Sequence, residues 1–157
     1  MISRKNRQLM LLISWAAVIL WMAFIFALSA QPREQSNQLS VGVTEKIVDA
    51  VERAVPDREI DIERFNVVVR KNAHFFAYLV LGVLLANGFK VAGFNGLKVY
   101  VWAVIFCILY AVSDEVHQLF VPGRGGQVRD VIIDTAGGAV GIFIYGRLSK
   151  VAAFRKI

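Results

Sequence analysis

The stretch LMLLISWAAVILWMAFIFAL, Leu9 to Leu28, decides the fold class of this chain. Its 20 residues include Ser14 as the only clearly polar member. At about 1.5 Å per residue, a helix of this length spans roughly 30 Å, which matches the hydrocarbon core of a bilayer. The stretch therefore predicts a transmembrane helix.

A cleaved signal peptide is the competing interpretation of this N-terminal segment. Arg4, Lys5 and Arg7 form a basic start, and Ala27 with Ser29 resembles a small-residue cleavage site. The apolar run is longer than the roughly 7–15 residues of a signal-peptide core, however. We therefore expect an uncleaved membrane anchor.

The rest of the chain continues the pattern of apolar runs. Hydrophobic residues make up 57% of the 157 residues, and three more apolar stretches follow the first. We predict an all-α fold, a single membrane domain over residues 1–157 that forms a bundle of four transmembrane helices. The predicted spans are residues 9–28, 65–89, 99–121 and 128–146, with an external segment at 29–64.

The distribution of charge predicts the orientation of the bundle. Four crossings place both termini and the loop from Lys90 to Lys98 on one side, and these segments contain basic residues but no Asp or Glu. Basic loops face the cytoplasm in most membrane proteins. We therefore expect a multi-pass protein of the cell membrane with cytoplasmic termini, and the net charge of +6 reflects this topology and not nucleic-acid binding.

The external segment contains a helical pattern of its own. Leu39, Val43, Ile47 and Val51 recur at helical spacing, with charged residues on the opposite face. This pattern predicts an extracytoplasmic amphipathic helix that ends at Pro56. Such a helix lies on the outer leaflet, covers the mouth of the bundle or packs on the other helices.

Polar residues share faces on the predicted second, third and fourth spans. Their three- and four-residue spacing places them together at the outer third of the membrane, where unpaired charges are costly, so we expect them to face one another. The predicted ligand-binding residues of this outward pocket are Arg70, Lys71, His74, Tyr78, Asp114, Glu115, Gln118, Arg124, Asp130 and Asp134.

Three chemistries are open for this pocket. The first is anion binding by Arg70, Lys71, Arg124 and Arg129, assisted by backbone N–H groups of the GRGG turn. The second is catalysis on a lipid-linked substrate, as in a phosphatase or transferase, with His74 or His117 as general base. The candidate catalytic residues are His74, Glu115, Asp130 and Asp134. The third is a purely structural cluster of neutralised charges.

Metal binding receives little support from the spacing of the ligands. The histidines and carboxylates match no recognised metal motif, and we predict neither a metal nor another cofactor. Gly137 and Gly141 form a GxxxG motif, which predicts close packing of the fourth span within the bundle.

Four motifs together resemble the VanZ-like membrane proteins: SAQP at 29–32, KNAHFFAY at 71–78, DEVHQLFVPGR at 114–124 and RDVIIDTAGGAVG at 129–141. The resemblance extends from about Phe26 to Gly146. The family's polar positions fall on His74, Tyr78, Glu115, Gln118, Arg124, Asp130 and Asp134, with Arg70 or Lys71 in the basic position.

The resemblance implies an activity at the bacterial cell envelope, since the family is named after a factor for low-level teicoplanin resistance. It implies no reaction. We therefore expect the pocket to bind the anionic head group of a membrane lipid, such as a phospholipid or a lipid-linked cell-wall intermediate. Lys71, Arg124 and His74 would contact the phosphate, and Glu115, Asp130 and Asp134 would position them.

Overall fold

The computed structural model describes residues 3–54 and 61–154 of the chain, and in these ranges every regular element is a helix. The five helices are α1 (Arg4–Ser29), α2 (Arg33–Ala54), α3 (Ile62–Val91), α4 (Leu97–Gln118) and α5 (Val128–Phe154). Four of them, α1, α3, α4 and α5, are long and apolar enough to cross a membrane. The predicted all-helical fold with four apolar helices is thus confirmed.

Helix α3 is the centre of the bundle, since it packs against each of the other four helices. Its buried face includes Tyr78, Leu81 and Leu85, all at most 1% exposed. Helix α1 lies at the outside, where Leu12 and Leu20 remain 66% and 70% exposed. Exposed leucines at this density suit a helix surrounded by lipid.

Glycines hold α5 close to α3, as the GxxxG motif predicts. A Cβ atom at Gly137 would overlap the carbonyl oxygen of Phe75, and one at Gly141 would overlap that of Leu79. Backbone atoms cannot move aside as side chains do, so only glycine permits this approach. The close contact fixes the positions of polar residues on the two helices relative to each other.

The boundaries of the helices differ in places from the sequence prediction. Helix α3 begins at Ile62, where the carboxylate of Asp61 accepts hydrogen bonds from the backbone N–H groups of Glu63 and Arg64 at 3.0 and 3.2 Å. Such N-caps satisfy donors that the helix itself leaves free. Helix α5 begins at Val128, as predicted, but continues past residue 146 to Phe154.

Helix α4 ends at Gln118, three residues before the predicted end at Val121. The N–H groups of Leu119, Phe120 and Val121 each bond to the carbonyl three residues earlier, at 3.3, 3.0 and 3.2 Å. This tighter pattern ends the α-helix before Pro122 is reached.

Helix α2 packs on α3 at both ends of the contact between them. The hydroxyl of Thr44 donates to the side-chain oxygen of Asn66 at 2.9 Å, and Val48 is buried. Val43 and Ile47, which the pattern assigns to the same apolar face, remain 52% and 39% exposed. The predicted end of this helix at Pro56 lies outside the described residues.

The bundle has two ends of different composition. At one end, Arg7 lies beside Gly93 in the α3–α4 connection, and Gly146 of α5 lies against Tyr100 of α4. We call this the basic end because the charged residues that the described helices bring there, among them Arg4, Lys5, Arg7, Lys90, Lys98 and Arg147, are all basic. The opposite end, which carries Ser29, Asp114 and Asp130, is the cavity end.

Candidate functional site

The cavity end contains a cavity of about 170 Å³ between α3, α4 and α5. The start of α2 and the α4–α5 loop complete its mouth. Its polar and charged lining residues are Arg33, Arg70, Lys71, His74, Glu115, Gln118, Arg124, Gln127, Asp130 and Asp134.

Eight of the ten ligand-binding residues predicted from the sequence line this cavity. The other two, Tyr78 and Asp114, lie outside its lining and are at most 1% exposed. Tyr78 follows His74 by one helical turn, and its hydroxyl has no hydrogen-bond partner among the described residues. The helical spacing thus brings the polar residues of three spans together; whether they bind a ligand stays a prediction.

The cations of the cavity fall into two groups. The Nζ atom of Lys71 lies 2.5 Å from a carboxylate oxygen of Asp130, and both side chains are 27% exposed. Three arginines form the second group, Arg33, Arg70 and Arg124. Within the part of the chain that the structure describes, none of the three has a carboxylate oxygen within 4.0 Å.

Two of these arginines, Arg70 and Arg124, are held by neutral groups instead. The guanidinium of Arg70 donates to the side-chain oxygen of Asn37 on α2 at 3.0 Å. Arg124 donates to the carbonyl of Leu28 at the end of α1 at 3.4 Å. Neutral acceptors orient a guanidinium without cancelling its charge, so the mouth of the cavity keeps an excess of positive charge.

Burial lowers the pKa of Arg124 from its ordinary value, and the positive charge of Arg70 lowers it further. Both effects disfavour the charged form, although an arginine stays protonated at any physiological pH. The negative charges of Asp114 and Glu115 act in the opposite direction on the pKa of Arg124, and an anion bound between the two guanidinium groups would do the same.

Two backbone N–H groups in and just after the glycine-rich turn serve contacts within the protein; whether the turn assists anion binding stays a prediction. The backbone N–H of Gln127 donates to a carboxylate oxygen of Glu115 at 2.7 Å, and that of Arg124 donates to the Val121 carbonyl at 3.1 Å. These two groups are therefore committed within the protein. The glycines let the loop approach α4: Gly123 has a φ of +73°, and a Cβ at Gly126 would press on the Glu115 carbonyl at 2.9 Å.

A second cluster lies at the inner side of the cavity, where His74, Asp114 and Asp134 converge. The Nδ1 atom of His74 is 3.6 Å from a carboxylate oxygen of Asp134. The hydroxyl of Ser29 donates to Asp114 at 2.7 Å, and the amide of Gln118 lies 3.4 Å from the same oxygen. One nitrogen or oxygen from each of the three residues lies within 4.8 Å of the others, so the cluster has the means to hold a metal ion.

Two candidates from the sequence lie away from the site. His117 packs its ring against Phe26, with the ring centres 4.3 Å apart, and does not line the cavity. Arg129 is exposed and likewise absent from the lining. Each sits on a helix face turned away from α3, which a count along the chain could not tell without knowing which face is buried.

Sequence reasoning also missed several residues of the site. Ser29, Arg33, Asn37 and Gln127 belong to the ends of helices or to loops, where helical spacing gives no prediction. A signal was present for two of them, since Ser29 and Arg33 flank Pro32 at the sharp connection between α1 and α2. That connection is fixed to the α4–α5 loop by the N–H of Arg33, which donates to the Pro122 carbonyl at 3.3 Å.

This combination of four apolar helices with charged residues buried between them at one end defines a multi-pass helical membrane protein with a polar cavity. A family model described as VanZ/LLP1 matches residues 14–149, and the chain belongs to this family. The resemblance seen in its motifs is thereby confirmed. Neither the curated proteins nor the solved structures give a significant match to the chain.

Proposed function

We propose that this protein binds the phosphate of an anionic lipid head group in the cavity. The observation that carries the proposal is the set of three guanidinium groups, of Arg33, Arg70 and Arg124, that line one cavity without a carboxylate partner within the described residues. Guanidinium groups bind phosphate oxygens through paired, charge-assisted hydrogen bonds. Lys71 adds a fourth positive charge, shared with Asp130.

The size and surroundings of the cavity support a lipid as the source of the phosphate. About 170 Å³ is small compared with the roughly 300–1,000 Å³ of a typical small-molecule pocket, so a head group fits while the rest of the ligand stays outside. Apolar residues of α3 and α5 extend from the cavity end on the outside of the bundle, with Phe76 and Ile132 59% and 62% exposed. Acyl chains would lie along these residues.

The proposal includes an orientation, with the cavity end facing outward and the basic end in the cytoplasm of the cell. The support is the charge of the basic end, where the described residues include basic ones and no acidic ones. Basic loops are retained on the cytoplasmic side during insertion. Helix α2 then lies on the extracytoplasmic side, beside the mouth of the cavity.

An outward cavity would meet lipids of the outer leaflet of the cell membrane. Lipid-linked cell-wall intermediates carry their phosphate groups at this surface, as phospholipids do. Binding of such an intermediate would connect the cavity with the glycopeptide resistance that the family name implies.

The test of head-group binding uses the purified full chain in a neutral detergent. Isothermal titration compares dihexanoyl phosphatidic acid, dihexanoyl glycerol and inorganic phosphate. We expect saturable binding of the phosphatidic acid, no binding of the glycerol and weaker binding of free phosphate. Equal binding of the two lipids would refute the role of the phosphate, and phosphate alone binding as tightly as the lipid would refute the role of the acyl chains.

A second candidate function is hydrolysis or transfer at the bound phosphate. It is favoured by the pair of His74 and Asp134, which line the same cavity as the arginines at 3.6 Å from each other. A histidine beside a carboxylate can accept a proton from an attacking hydroxyl. Release of phosphate from phosphatidic acid by the wild type, but not by a His74→Gln variant, would establish this activity; intact lipid after prolonged incubation would exclude it for this substrate.

A further inference from the structure

We propose that His74, Asp114 and Asp134 form a binding site for one divalent transition-metal ion at the inner side of the cavity. The three residues come from α3, α4 and α5, and one possible ligand atom from each lies within 4.8 Å of the other two. This site is separate from the arginines at the mouth, and its existence does not depend on head-group binding.

The distance between His74 and Asp134 fits two ligands of one ion. Nδ1 and the carboxylate oxygen are 3.6 Å apart, which is too long for a normal hydrogen bond. Two ligands bound at about 2.1 Å to a tetrahedral ion are about 3.4 Å apart. The separation of these two atoms is therefore close to what a shared ion requires.

The carboxylates also have oxygen atoms that nothing in the described protein satisfies. Asp114 and Asp134 are each 1% exposed. Both carboxylate oxygens of Asp134 and Oδ1 of Asp114 are buried without a hydrogen-bond partner among the described residues. Leaving buried carboxylate oxygens unpaired is costly, and a divalent cation between the two side chains would supply both the missing partner and the balancing charge.

The neighbouring cations do not supply that partner. Lys71 is paired with Asp130, and Arg124 donates to the carbonyl of Leu28. Within the described residues, the pair of His74 and Asp134 is the one ion pair of at most 4.0 Å that involves either carboxylate.

The surroundings of Asp114 resemble those of a metal ligand. Ser29 donates to its Oδ2 at 2.7 Å, and Gln118 approaches the same oxygen at 3.4 Å, which leaves Oδ1 free. Outer hydrogen bonds of this kind orient ligands in metal sites. His74 and Asp134 line the cavity, so an ion has a path from the mouth and an open coordination position towards it.

The donor set indicates which ions should bind best. One imidazole nitrogen with two carboxylates suits Zn²⁺ or Mn²⁺, whereas Mg²⁺ and Ca²⁺ prefer ligand sets made of oxygen alone. We expect Zn²⁺ to bind most tightly of these four ions. It suits the ligand set, and its general affinity for protein ligands is also higher than that of Mn²⁺.

The experiment uses the purified full chain in detergent, stripped with a chelator and titrated with Zn²⁺ alone in lipid-free buffer. Elemental analysis after desalting should find one Zn²⁺ per chain. Asp134→Asn and His74→Gln should each weaken binding by more than about 100-fold, and Ser29→Ala, which removes only an outer hydrogen bond, by about 10-fold. His117→Gln removes the other histidine of the chain and should leave binding unchanged.

Measurements on the wild type test the proposal even if the variants fail to fold. Co²⁺ bound in place of Zn²⁺ should give a visible absorption band, and X-ray absorption should detect one imidazole among oxygen ligands. The absence of stoichiometric metal in the wild type would overturn the proposal. So would tight binding retained by a folded Asp134→Asn variant. Because no lipid is present, none of these outcomes depends on whether the arginines bind a head group.

Discussion

The two ends of the bundle hold charge in opposite ways. At the basic end, the charged side chains of the described ranges have one sign and are exposed, as Lys98 and Arg147 illustrate. At the cavity end, both signs occur together, and Asp114 and Asp134 are almost fully buried. Exposed charges of one sign are inexpensive and can set orientation, whereas buried charges of both signs persist only if they pair with each other or with a ligand.

The pairing at the cavity end is incomplete, and this incompleteness favours a binding site over a purely structural cluster. Lys71 and Asp130 neutralise each other. Among the described residues, guanidinium groups without a carboxylate partner remain at the mouth, and carboxylate oxygens without a hydrogen-bond partner remain deeper in. An anion for the first group and a cation for the second would complete the pairing.

The largest effect is expected in a labelling experiment that asks which end faces outward. The single cysteine of the chain, Cys107, is 1% exposed and should not react with a maleimide that cannot cross membranes. Gly125→Cys introduces a thiol in the α4–α5 loop, where a Cβ meets nothing within 4 Å. Asn95→Cys introduces one in the exposed α3–α4 connection at the basic end.

In intact cells, we expect complete labelling of the Gly125→Cys variant and none of the Asn95→Cys variant until the membrane is permeabilised. The opposite result would reverse the orientation and place the cavity in the cytoplasm.

The next effect concerns the packing on which the cavity end depends. In a Gly141→Ala variant the new methyl group overlaps the backbone carbonyl of Leu79, so α3 and α5 must separate. We expect the free energy of unfolding in mixed micelles to fall by at least about 2 kcal/mol. Gly42→Ala on α2 is the control, because its methyl group meets nothing within 4 Å. It should raise stability by about 0.5–1 kcal/mol. Equal responses of the two variants would contradict the close α3–α5 contact.

A smaller difference is expected between lysines at the two ends. Lys71→Met leaves the partly buried carboxylate of Asp130 without its partner and should lower the free energy of unfolding by about 1–2 kcal/mol. Lys98→Met removes an exposed charge at the basic end and should change it by less than about 0.5 kcal/mol. If the two substitutions lower the free energy of unfolding equally, charge pairing does not distinguish the cavity end from the basic end.

Much of the fold could be predicted from the sequence because the relevant signals are local. The run from Leu9 to Leu28 predicts a span by length alone. Gly137 and Gly141 predict a close helix contact, although not that the partner is α3. The end of α4 is harder to predict. The chain tightens after Gln118, before it reaches Pro122, and this change leaves no signal in the sequence.

Helical spacing predicts only those residues of the candidate site that lie within the apolar helices. His74, Asp130 and Asp134 follow from their positions on apolar helices that must hide polar groups. The roles of Ser29 and Arg33 depend on how the α1–α2 connection meets the α4–α5 loop, which is a long-range contact. The convergence of His74, Asp114 and Asp134 could not be predicted for the same reason, because the three residues come from three helices and have no common sequence spacing.

The central claim is that the arginines at the mouth of the cavity, which have no carboxylate partner within the described residues, bind a lipid phosphate. Its most direct test is the affinity of the full chain for dihexanoyl phosphatidic acid in an Arg70→Gln/Arg124→Gln double variant, compared with an Arg4→Gln/Arg7→Gln variant that makes the same change of charge at the basic end. Loss of charge-assisted hydrogen bonds should weaken binding at least about 10-fold in the first variant, while the second keeps the wild-type affinity. Unchanged affinity in a folded Arg70→Gln/Arg124→Gln variant, or an equal loss in both variants, would contradict the claim.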